Sequence, residues 1–291
     1  MLYLIITIVL NCVIAIIFKG FKKYKINTLQ AIVFNYWVCV VTGCLIINKI
    51  PIKLVSFNQP WFPFAVLLGI GFFTIFNTIG YCTNRYGITP TTVANKMSLV
   101  IPFILSIYLY KEPLLWWHIL AIMLAIPAIM LAISKPSIVN KNHSDFKMIL
   151  LTIFLFVGSG LLDTAMKYAE SNYLPSAASQ ANFSIHIFAI AGIIGLITII
   201  LLHSMNLQKI RLRNVFAGII LGIPNYFSIY YLLRMLNSRF LPSAALIPIC
   251  NISILVGSVL VGRFIFKETL SKKNIYGIAL GCIVILLLTI I

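Results

Sequence analysis

The chain has 291 residues, 61% of them hydrophobic and 9% charged, with a mean hydropathy of +1.05. A soluble domain carries about 25% charged residues, so the composition excludes a water-soluble fold and points to an integral membrane protein. The 22 lysines and arginines against five acids give a net charge of +17. They fall in short gaps between apolar runs, so they read as loop charges that set orientation and not as a nucleic-acid surface.

In chain order, ten segments reach the length of about 20 apolar residues that a spanning helix needs: 1–18, 30–48, 61–82, 91–110, 114–134, 147–169, 177–202, 214–236, 242–265 and 273–291. Breakers or charges separate them, as in "KGFKKYKIN", "NRYGITP", "HSMNLQKIRLRN" and "KETLSKK". The runs are too long for barrel strands and do not alternate as such strands would. The first begins at Met1 without a basic n-region or cleavage site and is expected to be a retained helix. The six cysteines lie in or at the ends of the segments without a C-x-x-C pair. They read as small apolar packing residues, with no metal site and no cofactor expected.

The two halves of the chain match. Residues 93–114, "VANKMSLVIPFILSIYLYKEPL", align without a gap with 249–270, "ICNISILVGSVLVGRFIFKETL". Asn95 meets Asn251, Leu99-Val100 meets Leu255-Val256, and Lys111-Glu112-x-Leu114 meets Lys267-Glu268-x-Leu270. "FNT" (76–78) against "PNY" (224–226) and "FKGF" (18–21) against "MKYA" (166–169) extend the match. The repeat is five segments long, with 1–140 and 141–291 as its two copies. An odd repeat places its second copy upside down in the bilayer. The loop charges agree: the loops after segments 1, 3, 5, 7 and 9 hold most of the lysines and arginines. Positive-inside places those loops in the cytoplasm and both termini outside. Inverted repeats around a midplane site are a transporter architecture.

With two five-helix halves and a K-E-x-L turn after the fourth segment of each, the chain resembles the drug/metabolite transporter superfamily, specifically its EamA-type ten-helix members. The resemblance covers the whole chain and rests mainly on the repeat. It implies ten helices around a central cavity and transport of small metabolites, often export of amino acids or related compounds. It also implies cytoplasmic termini, against the loop charge.

Lys96 lies inside the fourth segment. Burying a cation there costs from about 3 to more than 10 kcal/mol, which makes it a functional candidate by default. Snorkelling to the nearer interface is the bland alternative. In a cavity, Lys96 would attract a carboxylate or phosphate. Its repeat counterpart is Ile252, so the fold does not itself demand a lysine. Asn95 and Asn251 either line a pseudosymmetric site or make interhelical hydrogen bonds. The same alternatives hold for Asn77 and Asn225, with Tyr81 and Tyr226. Ser179, Asn182 and His186 share a helix face; Asn182 and His186 are substrate candidates, and His186 also a proton carrier. Asp163 is either a proton or cation site or the partner of Lys167 four residues on. Glu112 and Glu268 read as structural, each complementing the ends of the two helices it joins.

No H-E-x-x-H, P-loop or clustered carboxylates appear, and "VGSG" (157–160) lacks the G-x-S-G of an intramembrane serine protease. The sequence therefore predicts a multi-pass inner-membrane carrier, not an enzyme, that moves a small carboxylate-bearing or anionic metabolite by alternating access. The alternative is an intramembrane enzyme acting on a lipid or peptide.

Overall fold

The structure, a computed structural model, describes residues 1–110, 115–133, 144–237 and 243–288. Among them there is no strand. The helices are α1 (Leu2–Lys23), α2 (Thr28–Ile47), α3 (Phe62–Arg85), α4 (Ile88–Met97), α5 (Val100–Tyr110), α6 (Trp116–Ile133), α7 (Ser144–Tyr173), α8 (Ala177–Ser204), α9 (Leu212–Asn237), α10 (Ser243–Leu260) and α11 (Lys272–Leu287). A 3-10 turn covers Leu54–Asn58, and a π turn (Val261–Ile265) extends α10. Eight helical stretches are long and apolar enough to cross a membrane, α4 and α5 together forming one of them, and the shorter Trp116–Ala132 is equally apolar. The protein is an all-α, multi-pass membrane protein.

The helix ends follow local chemistry. Asn27 caps α2 by accepting from the Gln30 N–H. Ser176 and Ser271 close capping boxes with Ser179 and Asn274 at the starts of α8 and α11. The outer faces carry large exposed apolar side chains, such as Leu150, Ile153, Val157 and Leu161 on α7 and Leu212, Phe216 and Ile220 on α9. In water these would be a liability; against lipid tails they are at home. Glycines let helices approach closely where the packing is tightest. A Cβ at Gly218 would sit 2.7 Å from the Ala31 carbonyl oxygen, where α9 meets α2.

α2 packs on α8 and α9, α1 on α9 and α10, α3 on α7 and α8, and α6 on α11. α4 is central, in contact with α3, α6, α7, α10 and α11. Not one residue of α4 is fully exposed.

One expectation changes. The fourth segment is not one helix: it breaks at Ser98-Leu99. Pro102 has no N–H to give the Ser98 carbonyl four residues back. The Ile101 N–H donates to that carbonyl instead, at 2.9 Å, and the Ser98 hydroxyl donates to the Asn95 carbonyl. Conversely, Pro224 leaves α9 continuous from Leu212 to Asn237. Glu112 and the rest of the first K-E-x-L turn lie outside the described residues.

Candidate functional site

Lys96 stands on the last turn of α4, just before the break. It is half-buried. Lys96 and Asn95 keep part of their surface open although α4 packs against five other helices. Lys96 makes no hydrogen bond or ion pair with any described residue. Its charge acts on Asp163 of α7, Cys12 of α1 and Cys250 of α10.

Asp163 is exposed, although it does not lie on the outward face of its helix. Its helix explains this. The outward face of α7 runs through Val157 and Leu161, and Asp163 lies roughly 120° around the helix from Val157. It therefore lies toward the side of α7 that meets α4 and α5. Gly160, one turn earlier, marks that contact: a Cβ there would sit 2.8 Å from the Ser98 carbonyl oxygen and 2.6 Å from Ile101 Cβ. The expected local pair between Asp163 and Lys167 is not formed; the cation that Asp163 feels is Lys96. Lys96 and Asp163 thus act on each other electrostatically without closing into a salt bridge.

Asn95 and Asn251 sit on α4 and α10, which pack together. Both are partly accessible, and neither side chain is hydrogen-bonded among the described residues. With Lys96 and Asp163 they are the candidates carried by α4, α7 and α10, helices in contact through α4.

The remaining candidates lie elsewhere. Asn225 is buried between α9 and α2, donating to Asn35 Oδ1 at 3.1 Å, and Tyr226 is core packing beside Gly43. Both do the work of helix association. Asn77 donates to the Phe73 carbonyl one turn back on α3. Tyr81 is exposed, with Lys147 Nζ 5.7 Å from its ring centre. His186 Nδ1 lies 2.7 Å from the Asn182 carbonyl, which only accepts, so Nδ1 carries the proton. The ring is edge-on to Trp61 in a separate apolar cluster, and its Nε2 is buried without a partner among the described residues.

One feature of the site has no signature near it in sequence. Glu268 does not serve the start of α11, which Ser271 caps. Its carboxylate reaches back to α4, accepting from the Ile88 N–H at 2.8 Å, the Thr89 N–H at 3.3 Å and the Thr89 hydroxyl at 3.2 Å. Lys19 of α1 pairs with it at 2.9 Å. An anion at a helix N-terminus complements the dipole. Gly87, at φ +117°, provides the turn that admits it; a Cβ there would lie 2.8 Å from Glu268 Oε1. Glu268 therefore fixes the entry of the helix that presents Lys96, and ties it to α1 and to the end of α10.

No family model matches the chain. A protein of Haemophilus influenzae, described as an uncharacterized protein, is 25% identical over 283 residues, covering 94% of this chain and 93% of the relative.

Proposed function

We propose that the protein is a carrier of the drug/metabolite type in the inner membrane, with ten spans in two inverted five-helix halves, 1–140 and 141–291. It moves a small carboxylate-bearing metabolite by alternating access and is not an enzyme. The observation that carries this reading is Lys96: a half-buried cation on a central, broken helix, with no salt bridge to Asp163. A carboxylate would complete Lys96 with charge-assisted hydrogen bonds. Asp163 would take the amino group of a zwitterion or a coupling proton. Asn95 and Asn251 would donate and accept beside them. The broken helix fits a pattern in which unwound backbone lines a membrane site.

The helix pairings support the inverted repeat. Exchange α1 for α7, α2 for α8, α3 for α9, α4 for α10 and α6 for α11. The pair α2·α9 then becomes α8·α3, α1·α9 becomes α7·α3, and α1·α10 becomes α7·α4, and all of these pairs are in contact. The pairs α2·α8, α4·α10 and α6·α11 map onto themselves. A pseudo-two-fold axis would pass through those three contacts, beside Lys96.

Purified protein screened by thermal shift against carboxylate-bearing metabolites should be stabilised by its substrate, and the same compound should support counterflow in liposomes. Stabilisation without counterflow, together with turnover of the compound in detergent, would replace the carrier with the intramembrane enzyme. Orientation has its own test. Tyr24 is exposed in the most basic loop, so Tyr24→Cys on a background lacking the six native cysteines should resist an impermeant thiol reagent in intact cells. Ready labelling would reverse the topology.

A further inference from the structure

A cavity of about 430 Å³ opens at one end of the bundle, between the α1–α2 turn and the α8–α9 turn. Lys25, Lys209, Arg211 and Arg213 line it, together with Asn27, Gln208 and Asn214. No acid lines it, and none of its four cationic side chains forms an ion pair or hydrogen bond with a described residue. Four like charges around one hollow repel one another, and the structure holds them there. Its floor is a polar lattice. Asn214 accepts from the Asn27 N–H at 3.1 Å and donates to Gln30 Oε1 at 2.6 Å. Gln30 in turn donates to Gln208 Oε1 at 3.3 Å and to the Lys209 carbonyl at 3.1 Å. Gln30 and Asn214 are buried, so the two turns are locked to each other while the cations remain exposed above them. α2 and α9 both begin here, adding the positive ends of two helix dipoles.

We infer that this cavity binds the phosphate of an anionic phospholipid headgroup. The chemistry shared by its possible occupants is a phosphate or phosphodiester, which arginine forks and helix N-termini recognise. The wall beneath selects the lipid as source. Leu212 (76% exposed) and Phe216 (63% exposed) descend from the cavity along the outer face of α9. A headgroup in the cavity would lay its acyl chains on this surface, an arrangement with no counterpart for a free phosphate. Basic pockets between membrane helices take headgroups in this way. The repeat strengthens the argument. The matching turns at the other end, 174–176 and 48–61, carry only Lys49 and Lys53. The packing of the turns therefore does not require this charge.

The test uses the full chain in a nonionic detergent, titrated with phosphatidylglycerol, with phosphatidylcholine of the same acyl chains, and with sodium phosphate at constant ionic strength. Native mass spectrometry reads lipid occupancy, and thermal shift reads all three ligands. Phosphatidylglycerol is expected to bind at least tenfold more tightly than phosphatidylcholine or inorganic phosphate. In the triple variant Lys209→Gln, Arg211→Gln, Arg213→Gln that affinity should fall on the order of a hundredfold, at roughly fivefold for each basic group. The variant Lys49→Gln, Lys53→Gln, Lys273→Gln removes the same charge from exposed positions elsewhere and should bind like the wild type. Equal losses in the two triples would overturn the site in favour of diffuse attraction. Inorganic phosphate binding as tightly as phosphatidylglycerol would overturn the lipid as occupant. All substituted side chains are exposed, and an unshifted melting point without ligand verifies that each variant is folded.

Discussion

α4 and α10 are matched by the repeat, packed against each other, and built differently. Both carry a partly accessible asparagine, Asn95 and Asn251. α10 runs on through its own Pro248 and widens only at the π turn. α4 stops at Met97 and restarts at Val100. Where α4 has Lys96, α10 has Ile252, packed against the apolar cluster around Met97 and Leu255. Proline alone does not account for the difference, since Pro127, Pro224 and Pro248 all lie inside continuous helices. What α4 adds is a set of local hydrogen bonds that replace the helical ladder: the Ser98 hydroxyl on the Asn95 carbonyl and the Ile101 N–H on the Ser98 carbonyl. On the proposed reading, α10 serves as a scaffold and α4 carries the site.

The largest expected effect separates the two copies by charge. Lys96→Met keeps the aliphatic stem and removes the cation. Transport should fall at least tenfold, because a charge-assisted contact contributes about 1.5–3 kcal/mol. Stability should hold or rise, since no charge remains to be desolvated. Ile252→Met conserves volume in the other copy and should transport like the wild type. Uptake by Lys96→Met equal to wild type, normalised to folded protein, would leave Lys96 as an interfacial anchor and erase the functional difference between the helices.

Glu268 comes next, because it anchors α4 from the far end of α10. Glu268→Gln removes the charge that holds Lys19 and the α4 N-terminus. Unfolding should become easier by about 1.5–3 kcal/mol, the range for hydrogen bonds to a charged group, read from denaturant or thermal melts. Lys19→Met leaves the cap in place and should cost less. Equal losses would mean that the ion pair, and not the cap, is what Glu268 contributes.

Gly160 tests the contact of α7 with the break. Gly160→Ala brings a methyl group against Ser98 and Ile101 and should destabilise by about 1–3 kcal/mol. Gly20→Ala is the control. Its Cβ would meet only Tyr24, at 4.0 Å, so the better helix propensity of alanine should stabilise by up to about 1 kcal/mol.

Hydropathy and loop charge made the membrane class and the helical segments legible, because a membrane span is a property of composition over about 20 residues. Lys96 was legible for the same reason: a cation in such a window stands out. Its electrostatic relation to Asp163 was not, since Lys167 is the nearer charge along the chain and the relation to Lys96 comes from the packing of α7 on α4. Glu268 misled for a similar reason. The helix that follows it is capped by Ser271, and its real partner is an N-terminus in the other half. Asn225 and Tyr226 looked like site residues by repeat position, yet the interface of α2 with α9 buries both. The break itself was written in "KMSLVIP", where Ser98 and Pro102 stand four apart; apolarity carried the segment across it.

The smallest effect on stability, and the closest test of the comparison, is at the break. Pro102→Ala restores an N–H that can reach the Ser98 carbonyl and competes with Ile101 for it. The Ser98 hydroxyl still holds the Asn95 carbonyl, so the break should persist in part. The change in stability should stay within about 1 kcal/mol, while counterflow slows because α4 and α5 move less independently. Pro248→Ala makes the same chemical change in α10, inside a helix that is already continuous. It should leave counterflow unaltered. Hydrogen exchange at Val100 and Ile101 provides the structural readout: protection should rise in Pro102→Ala and stay unchanged in Pro248→Ala. If both variants slowed counterflow equally with no change in protection at 100–101, the interrupted ladder would lose its role. The distinction between the two copies would then rest on Lys96 alone.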